Sequence, residues 1–480
     1  MHKPHSEMLR KERPHVVIIG GGFAGLAAAR MLRNANVRVT LIDRSNHHLF
    51  QPLLYQVATA ALAAPDICAP IRKLLRNQRN VSVWMSAVRA IDVEHRQVQL
   101  DELRVDYDYL IVATGMTHAY FGHEEWAEFA PGLKTIGEAL ELRRRILHAF
   151  EAAELAATEE LRRAFTTFVV IGGGPTGVEL AGALAEIAGR TLARDFRRFD
   201  PRTTRVVLVE AGARVLPTFS ERSSACAHRQ LEALGIEVRT GSAVSAVRPD
   251  CVELAGERIA TRTVVWAAGL CASPLTRQLR TPLDRAGRVC VADDLSLPDH
   301  PEVFVVGDLI SKQQRGRPLP GVAQLAMQSG AHAASNIVRS ELGRPREAFV
   351  YVDKGSMATI GRNKAVAQIG RFRFSGVVAW WLWLVVHVLF LVELKRRLSV
   401  VFEWAFAYLT WHRGSRVIVD SPKRPKPQGP ASRRVDTLPG GFAHNALRHT
   451  QLRAPRIPTA PPRPARRPSD PGTGPARPSA

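Results

Sequence analysis

His15-Val-Val-Ile-Ile-Gly-Gly-Gly-Phe-Ala-Gly25 is the stretch on which the fold turns. A short apolar run ending in glycines reads as a buried parallel strand. Phe23-Ala-Gly-Leu-Ala-Ala-Ala-Arg-Met-Leu32 follows with the Ala/Leu richness of a helix. A second apolar run, Val37-Arg-Val-Thr-Leu-Ile42, then stops at Asp43. Strand, tight turn, helix and strand make a βαβ unit. Within G-x-G-x-x-G, Gly20 permits the turn, Gly22 lets backbone approach a pyrophosphate, and Gly25 lets helix and strand pack closely. The helix N-terminus adds N–H groups and a positive dipole end. Asp43, 18 residues after Gly25, stands where a carboxylate accepts ribose hydroxyls.

The same grammar returns 152 residues later, at Thr167-Phe-Val-Val-Ile-Gly172. Gly172, Gly174 and Gly177 repeat the glycine spacing, a helix is expected from about Pro175 to Ile187, and the strand Arg205–Val209 ends at Glu210. An acid there accepts the free 2′-hydroxyl of NADH and repels a 2′-phosphate, although nearby Arg214 softens the preference. An offset of that size is a domain length rather than a solenoid period. Two nucleotide domains in one chain imply two nucleotides, and the natural pair is a flavin and a nicotinamide. Tyr109–Gly115 and Val264–Gly269 are further strands running into glycine turns, and Val303–Asp308 stops at an acid.

The chain has 480 residues, 46% of them apolar, which is enough for more than one core. Of its net charge of +22, residues 422–480 hold +10, from twelve Lys/Arg against two Asp. The remainder suggests an anionic lipid surface, and no zinc spacing or interleaved aromatic/basic motif argues for nucleic acid. Cys68, Cys226, Cys251, Cys271 and Cys290 include no C-x-x-C, so the close redox pair of a disulfide reductase is missing. Met1–Pro14 is polar and basic, unlike a signal peptide.

From about Arg371 the character changes. Val377–Val392 is a 16-residue apolar run, about 24 Å as a helix and short of a spanning length. Glu393–Trp411 reads as an amphipathic helix, with Glu393, Arg396, Ser399, Glu403 and Thr410 on its polar side. Trp380, Trp381, Trp383 and the cluster Lys395-Arg396-Arg397 favour a segment lying in the bilayer surface without crossing it. The Pro/Arg-rich tail, 421–480, is expected to be disordered.

The order of Gly20–Gly25, Leu53-Leu-Tyr-Gln-Val-Ala-Thr59, Ala113-Thr-Gly115, Gly172–Gly177 with Val178-Glu-Leu-Ala181, Gly307-Asp308, Ala323-Gln-Leu-Ala-Met-Gln328 and a hydrophobic end resembles the type II NADH:quinone oxidoreductases. These are flavoproteins with two dinucleotide-binding domains. The resemblance implies an α/β chain with two Rossmann-like domains and a C-terminal membrane-associating helical segment. The expected FAD domain is discontinuous, 14–135 and 272–345. The NADH domain would span 136–271 and the membrane-association region 346–420.

By that resemblance Gly20, Gly22, Gly25, Asp43, Arg44, Thr114, Gly115, Asp308, Ala323 and Gln324 hold FAD. Gly172, Gly174, Gly177, Glu179, Glu210 and Gly269 hold NADH. Glu179 would stand between nicotinamide and flavin and assist proton movement to the quinone. Gln324 and Gln328, one helical turn apart, would line the quinone pocket. Tyr55, Gln56 and Thr59 resemble residues near it, and Lys354 a lysine held near the isoalloxazine. The implied reaction oxidises NADH through FAD and reduces a membrane quinone, ubiquinone or menaquinone, by two electrons without pumping protons. The enzyme would lie peripherally on the cytoplasmic face of the cell membrane, and the resemblance allows a homodimer. A sulfide:quinone oxidoreductase would need cysteines at the flavin, whereas Cys226–Cys290 fall within or near the expected NADH domain. A soluble NAD(P)H-dependent ferredoxin-type reductase would have no use for the tryptophan-rich end. A non-enzymatic nucleotide sensor would place the function in the tail.

Overall fold

The computed structural model describes residues 13–411 and 413–418. The expected tail and the residues before 13 lie outside the described residues. His15–Ile19 is fully buried and occupies the middle of a five-stranded parallel sheet. Arg38–Asp43 and then Val81–Met85 lie on one side of it, Tyr109–Val112 and then Val303–Val305 on the other. Its unbroken apolar character follows from cover on both faces. The helices Phe23–Met31 and Ala323–Glu341 pack so closely that a Cβ on Gly330 would lie 2.1 Å from the Ala24 carbonyl oxygen. Ile91, Val98 and Val105 join the same core from a small antiparallel sheet, 90–92, 97–99 and 104–106.

A second parallel sheet has four strands in the order Ile236–Arg239, Arg205–Val209, Thr167–Ile171 and Thr263–Trp266. Met116–His118 pairs antiparallel with Leu270–Ala272, so the outgoing and returning chain crossings between the two parallel sheets are hydrogen-bonded to each other. The helix Pro175–Glu186 follows the second glycine turn. Its Gly182 meets an antiparallel sheet, Ser356–Gly361, Lys364–Ile369 and Phe372–Ser375, where a Cβ would lie 1.7 Å from the Ile360 carbonyl oxygen. That contact needs a glycine.

The apolar run forms the helix Gly376–Phe390, and Leu394–Thr410 forms the next. Glu393, at φ 76°, makes the corner between them. Among the described residues no helix is long and apolar enough to cross a membrane. The first helix buries Ala379 and Trp383 but leaves Val377, Val378, Trp381, Val385 and Leu389 exposed. The second buries only Val400 and exposes Leu394, Leu398, Phe402 and Leu409. Its polar side is turned inward: Arg396 donates to Pro65 O (3.0 Å) and Ser399 to Asp66 Oδ1 (2.9 Å). Polar groups bind the protein and apolar ones face outward, the reverse of a water-exposed helix.

Candidate active site

The two glycine turns are near duplicates. Gly20 and Gly172 have φ of 105° and 111°, where only glycine is unstrained. A Cβ on Gly25 would lie 1.8 Å from Gly20 O, and one on Gly177 1.8 Å from Gly172 O, so helix and strand touch through backbone. At Gly22 and Gly174 a Cβ would meet nothing within 4 Å, so these positions border open space at the helix N-termini. Each turn is closed by its acid. Asp43 accepts from Gly21 N and Ser45 N, both at 2.6 Å, and Glu210 from Gly173 N (2.6 Å) and Gly212 N (2.7 Å). A carboxylate with backbone donors on both oxygens keeps lone pairs for a ribose. Arg214 is committed elsewhere, to Phe219 O at 2.8 Å and Pro217 O at 2.9 Å.

The first turn fits a flavin dinucleotide. The buried Thr114 hydroxyl, whose backbone N–H borders Gly20, has no partner among the described residues. Gly115 faces open space, while Arg44 is exposed. Asp308, half-buried, lies against Gly321, and burial raises its pKa against the opposing pull of Lys134 and Arg288. Lys134, itself lowered by burial, went unnoticed in the sequence. Ala323 does begin the helix Ala323–Glu341. Gly269 has φ 65° and packs on Phe121 and Ala119 O in the crossing between sheets.

Glu179 lies in the first turns of Pro175–Glu186, as its position implied, but it is 8% exposed rather than a solvated end-of-helix acid. Burial pushes its pKa up to about 8, against the backbone of Thr359 and the indole of Trp383. The Trp383 Nε1–H is buried and faces the Glu179 carboxyl. Tyr55 belongs to a short buried helix, Leu54–Ala58. The charged groups facing it are Glu179, Glu186 and Arg413, and burial raises its pKa far up. Arg413 donates to Thr59 O (2.8 Å) and pairs with Glu186 Oε2 (3.4 Å). The helices Gly376–Phe390 and Leu394–Thr410 complete the pocket. Trp383 stacks on His387 at 4.3 Å and tilts against Trp404 at 5.3 Å, and desolvation holds the pKa of the half-buried His387 down to about 4. Trp404, Glu186 and Arg413 carry no motif that marks them in the sequence, and Trp383 is marked there only as one of the tryptophans of the apolar run.

The remaining expected residues do different work. Gln324 binds Gly355 O (2.7 Å) and Lys354 N (3.0 Å), and Gln328 binds Val352 O (2.9 Å) and Val352 N (3.0 Å). Both amides therefore clamp the backbone of 352–355 with donor and acceptor used together. Lys354 is exposed, and its backbone rather than its ammonium meets Gln324. All five cysteines are free thiols, and Cys271 Sγ contacts His118 O at 3.2 Å in the crossing.

Comparison with known proteins agrees with this geometry. A family model described as pyridine nucleotide-disulphide oxidoreductase matches residues 14–330, and one described as NDH2 C-terminal domain matches residues 354–411. The type II NADH:quinone oxidoreductase Ndh of Mycobacterium tuberculosis is 44% identical over 434 residues, 87% of this chain and 92% of that protein. NdhA of the same organism is 46% identical over 424 residues, 85% and 89% of the two chains. The solved structure of NDH2 from Plasmodium falciparum in complex with NADH superposes with a TM-score of 0.77 at 19% identity, over 85% of this chain and all of that one.

Proposed function

This chain belongs to the type II NADH:quinone oxidoreductases, within the pyridine nucleotide-disulphide oxidoreductase family, and on that premise we propose that it binds FAD, oxidises NADH and reduces a membrane quinone. The observation that carries the proposal is a buried Glu179, its pKa raised by that burial, at the meeting of three elements: the second nucleotide helix, the Tyr55 helix and the outward-apolar pair. FAD, when bound, supplies a two-electron carrier between NADH and quinone.

The chain's own residues do the rest. Gly20, Gly22, Gly25, Asp43, Thr114 and Asp308 would hold FAD, with the FAD domain 14–135 and 272–345. Gly172, Gly174, Gly177 and Glu210 would hold NADH in 136–271, and Glu210 excludes a 2′-phosphate by charge. A quinone taking two electrons needs two protons. A carboxyl with a pKa of about 8 is protonated at neutral pH and suited to give one. Burial that excludes water lets Glu179 and Tyr55 meet developing charge on a quinone oxygen without solvent rearrangement. Gln324 and Gln328 would serve indirectly, by fixing 352–355. Lys354 faces solvent and supports no contact of its own.

The exposed apolar faces of Gly376–Phe390 and Leu394–Thr410, with the exposed Lys395 beside them, suit the headgroup boundary of an anionic bilayer. We read the enzyme as a peripheral protein of the cytoplasmic membrane face, non-electrogenic, with a homodimer compatible with this reading. The test is anaerobic, with purified protein and membranes. Flavin absorbance near 450 nm should bleach with NADH, far less with NADPH, and recover on adding quinone. Bleaching without recovery would shift the acceptor to a protein carrier, and no bleaching would sink the NADH assignment. Acidification of proteoliposomes driven by the enzyme would refute the non-electrogenic reading.

A further inference from the structure

A short hydrogen-bonded chain runs from the lipid-facing helix into the pocket. Trp404 Nε1 donates to Gln56 Oε1 at 2.7 Å, and Gln56 Nε2 donates to the Tyr55 hydroxyl oxygen at 3.0 Å. Gln56 and Tyr55 are 8% and 5% exposed, so neither bond competes with bulk water. The sense of this chain is not adjustable. An indole has a donor and no acceptor, so the atom of Gln56 facing Trp404 must be the carbonyl oxygen. The amide NH2 then faces Tyr55, whose oxygen must accept, and the Tyr55 proton is left to point elsewhere. Glu179, Glu186 and Arg413 are the charged groups that face Tyr55 on its remaining sides.

We propose that Trp404 is a positioning residue for quinone reduction: its donor-only indole fixes Gln56 so that Tyr55 presents an O–H, rather than a lone pair, to the quinone oxygen. This rests on the reading that the Glu179–Tyr55 pocket is where the quinone is reduced. Tyr55 gives a hydrogen bond and keeps its proton. Its hydrogen bond strengthens as the quinone oxygen gains charge, so it acts mainly in the transition state. Without the Trp404 N–H, the Gln56 amide is free to turn over. Its carbonyl would then take the Tyr55 proton, and the pocket would lose its donor. The same helix that meets the lipid thereby sets the polarity of a bond at the site.

The test uses full-length enzyme with FAD and vesicles of anionic phospholipid containing a quinone. Trp404→Phe keeps the ring contact with Trp383 and removes one N–H. Bleaching of the flavin by NADH should keep its rate, while recovery with quinone slows about tenfold, the worth of one buried hydrogen bond. The loss should fall on kcat with quinone KM little changed. Tyr55→Phe should show a similar loss, and the double variant no more than Tyr55→Phe alone, because both remove the same donor. Additive losses would mean that Trp404 merely anchors the helix, and would overturn the proposal. Gln56→Glu checks it without touching the indole. A carboxylate accepts from both Trp404 and Tyr55, turns the Tyr55 proton inward, and should slow quinone reduction to the same extent. Full activity in that variant would overturn the proposal too. If Tyr55→Phe and Glu179→Gln both leave quinone reduction unchanged, the pocket reading fails. If they slow it and Trp404→Phe does not, only the role of Trp404 fails.

Discussion

Replacing Glu179 by Gln should make the protein more stable at alkaline pH and slower with quinone, two effects of opposite value from one cause. Burial raises the carboxyl from its ordinary 4.5 to about 8, with only the Thr359 backbone and the Trp383 indole opposing. At 1.36 kcal/mol per pH unit, folding disfavours the ionised form by about 5 kcal/mol. The sign follows from linkage. The folded pKa lies above the unfolded one, so the acid costs nothing below about pH 4.5, and stability falls as pH rises from there to about 8. The penalty is then about 1 kcal/mol at pH 5, about 3 at pH 7 and about 5 at pH 9. A neutral amide of the same shape removes it. Denaturant melts of the FAD-loaded protein at those three pH values should show a gain for Glu179→Gln that grows with pH. Anaerobic stopped-flow on the same samples should show quinone reduction falling by about 10²-fold or more, the usual worth of a general acid. In the unsubstituted enzyme quinone reduction should decline above about pH 8 as the proton is lost, and the variant should lack that limb. A stability gain that does not change between pH 5 and pH 9 would refute the buried-acid reasoning, and an unchanged rate with quinone would refute its role.

Three further predictions separate structure from binding. Gly22→Ala meets nothing within 4 Å and should fold normally yet purify poor in FAD. Gly25→Ala drives a Cβ to 1.8 Å from Gly20 O and should lower stability by about 1–3 kcal/mol as well, read by melting the apoprotein. Gln324→Ala and Gln328→Ala should each remove two bonds to 352–355 and cost about 2 kcal/mol, measured by denaturant melts, where a pure quinone contact would change only KM. Leu398→Glu, on a residue 62% exposed, should weaken flotation with anionic vesicles about tenfold or more while bleaching by NADH is kept.

Both glycine turns and their acids were legible because their causes are local. A positive φ at Gly20 or Gly172, and a backbone contact at Gly25 or Gly177, leave one residue type possible at fixed spacing. The helix beginning at Ala323 and the helix carrying Glu179 follow from the same kind of pattern. The environment of Glu179 does not. Its buried state depends on Thr359 and Trp383, about 180 and 200 residues further along the chain, and no periodicity in Val178–Ala181 reports them. Gln324 and Gln328 show the converse limit. Spacing places them on one face, but only the loop 352–355 decides that their amides are spent on backbone.

The amphipathic helix Leu394–Thr410 shows why a correct periodicity can leave the orientation open. Its pattern has two physical solutions: apolar face on the protein and polar face in water, or the reverse with lipid outside. A soluble helix needs the first, and the polar residues Arg396 and Ser399 would then be solvated. Instead they bind Pro65 O and Asp66, Trp404 binds Gln56, and Lys73 pairs with Glu393, so these polar groups are held by the rest of the protein. Leu394, Leu398, Phe402 and Leu409 are left outside together. An exposed apolar stripe of this length would invite aggregation in water and is stabilised at a bilayer. The polar stripe therefore cannot be traded for apolar residues to improve burial, because the bonds it makes are what hold the apolar side outward. Ser399→Ala and Arg396→Ala together should loosen the helix from the core and slow quinone reduction without reducing vesicle binding, whereas a helix held by apolar packing alone would leave that rate unchanged.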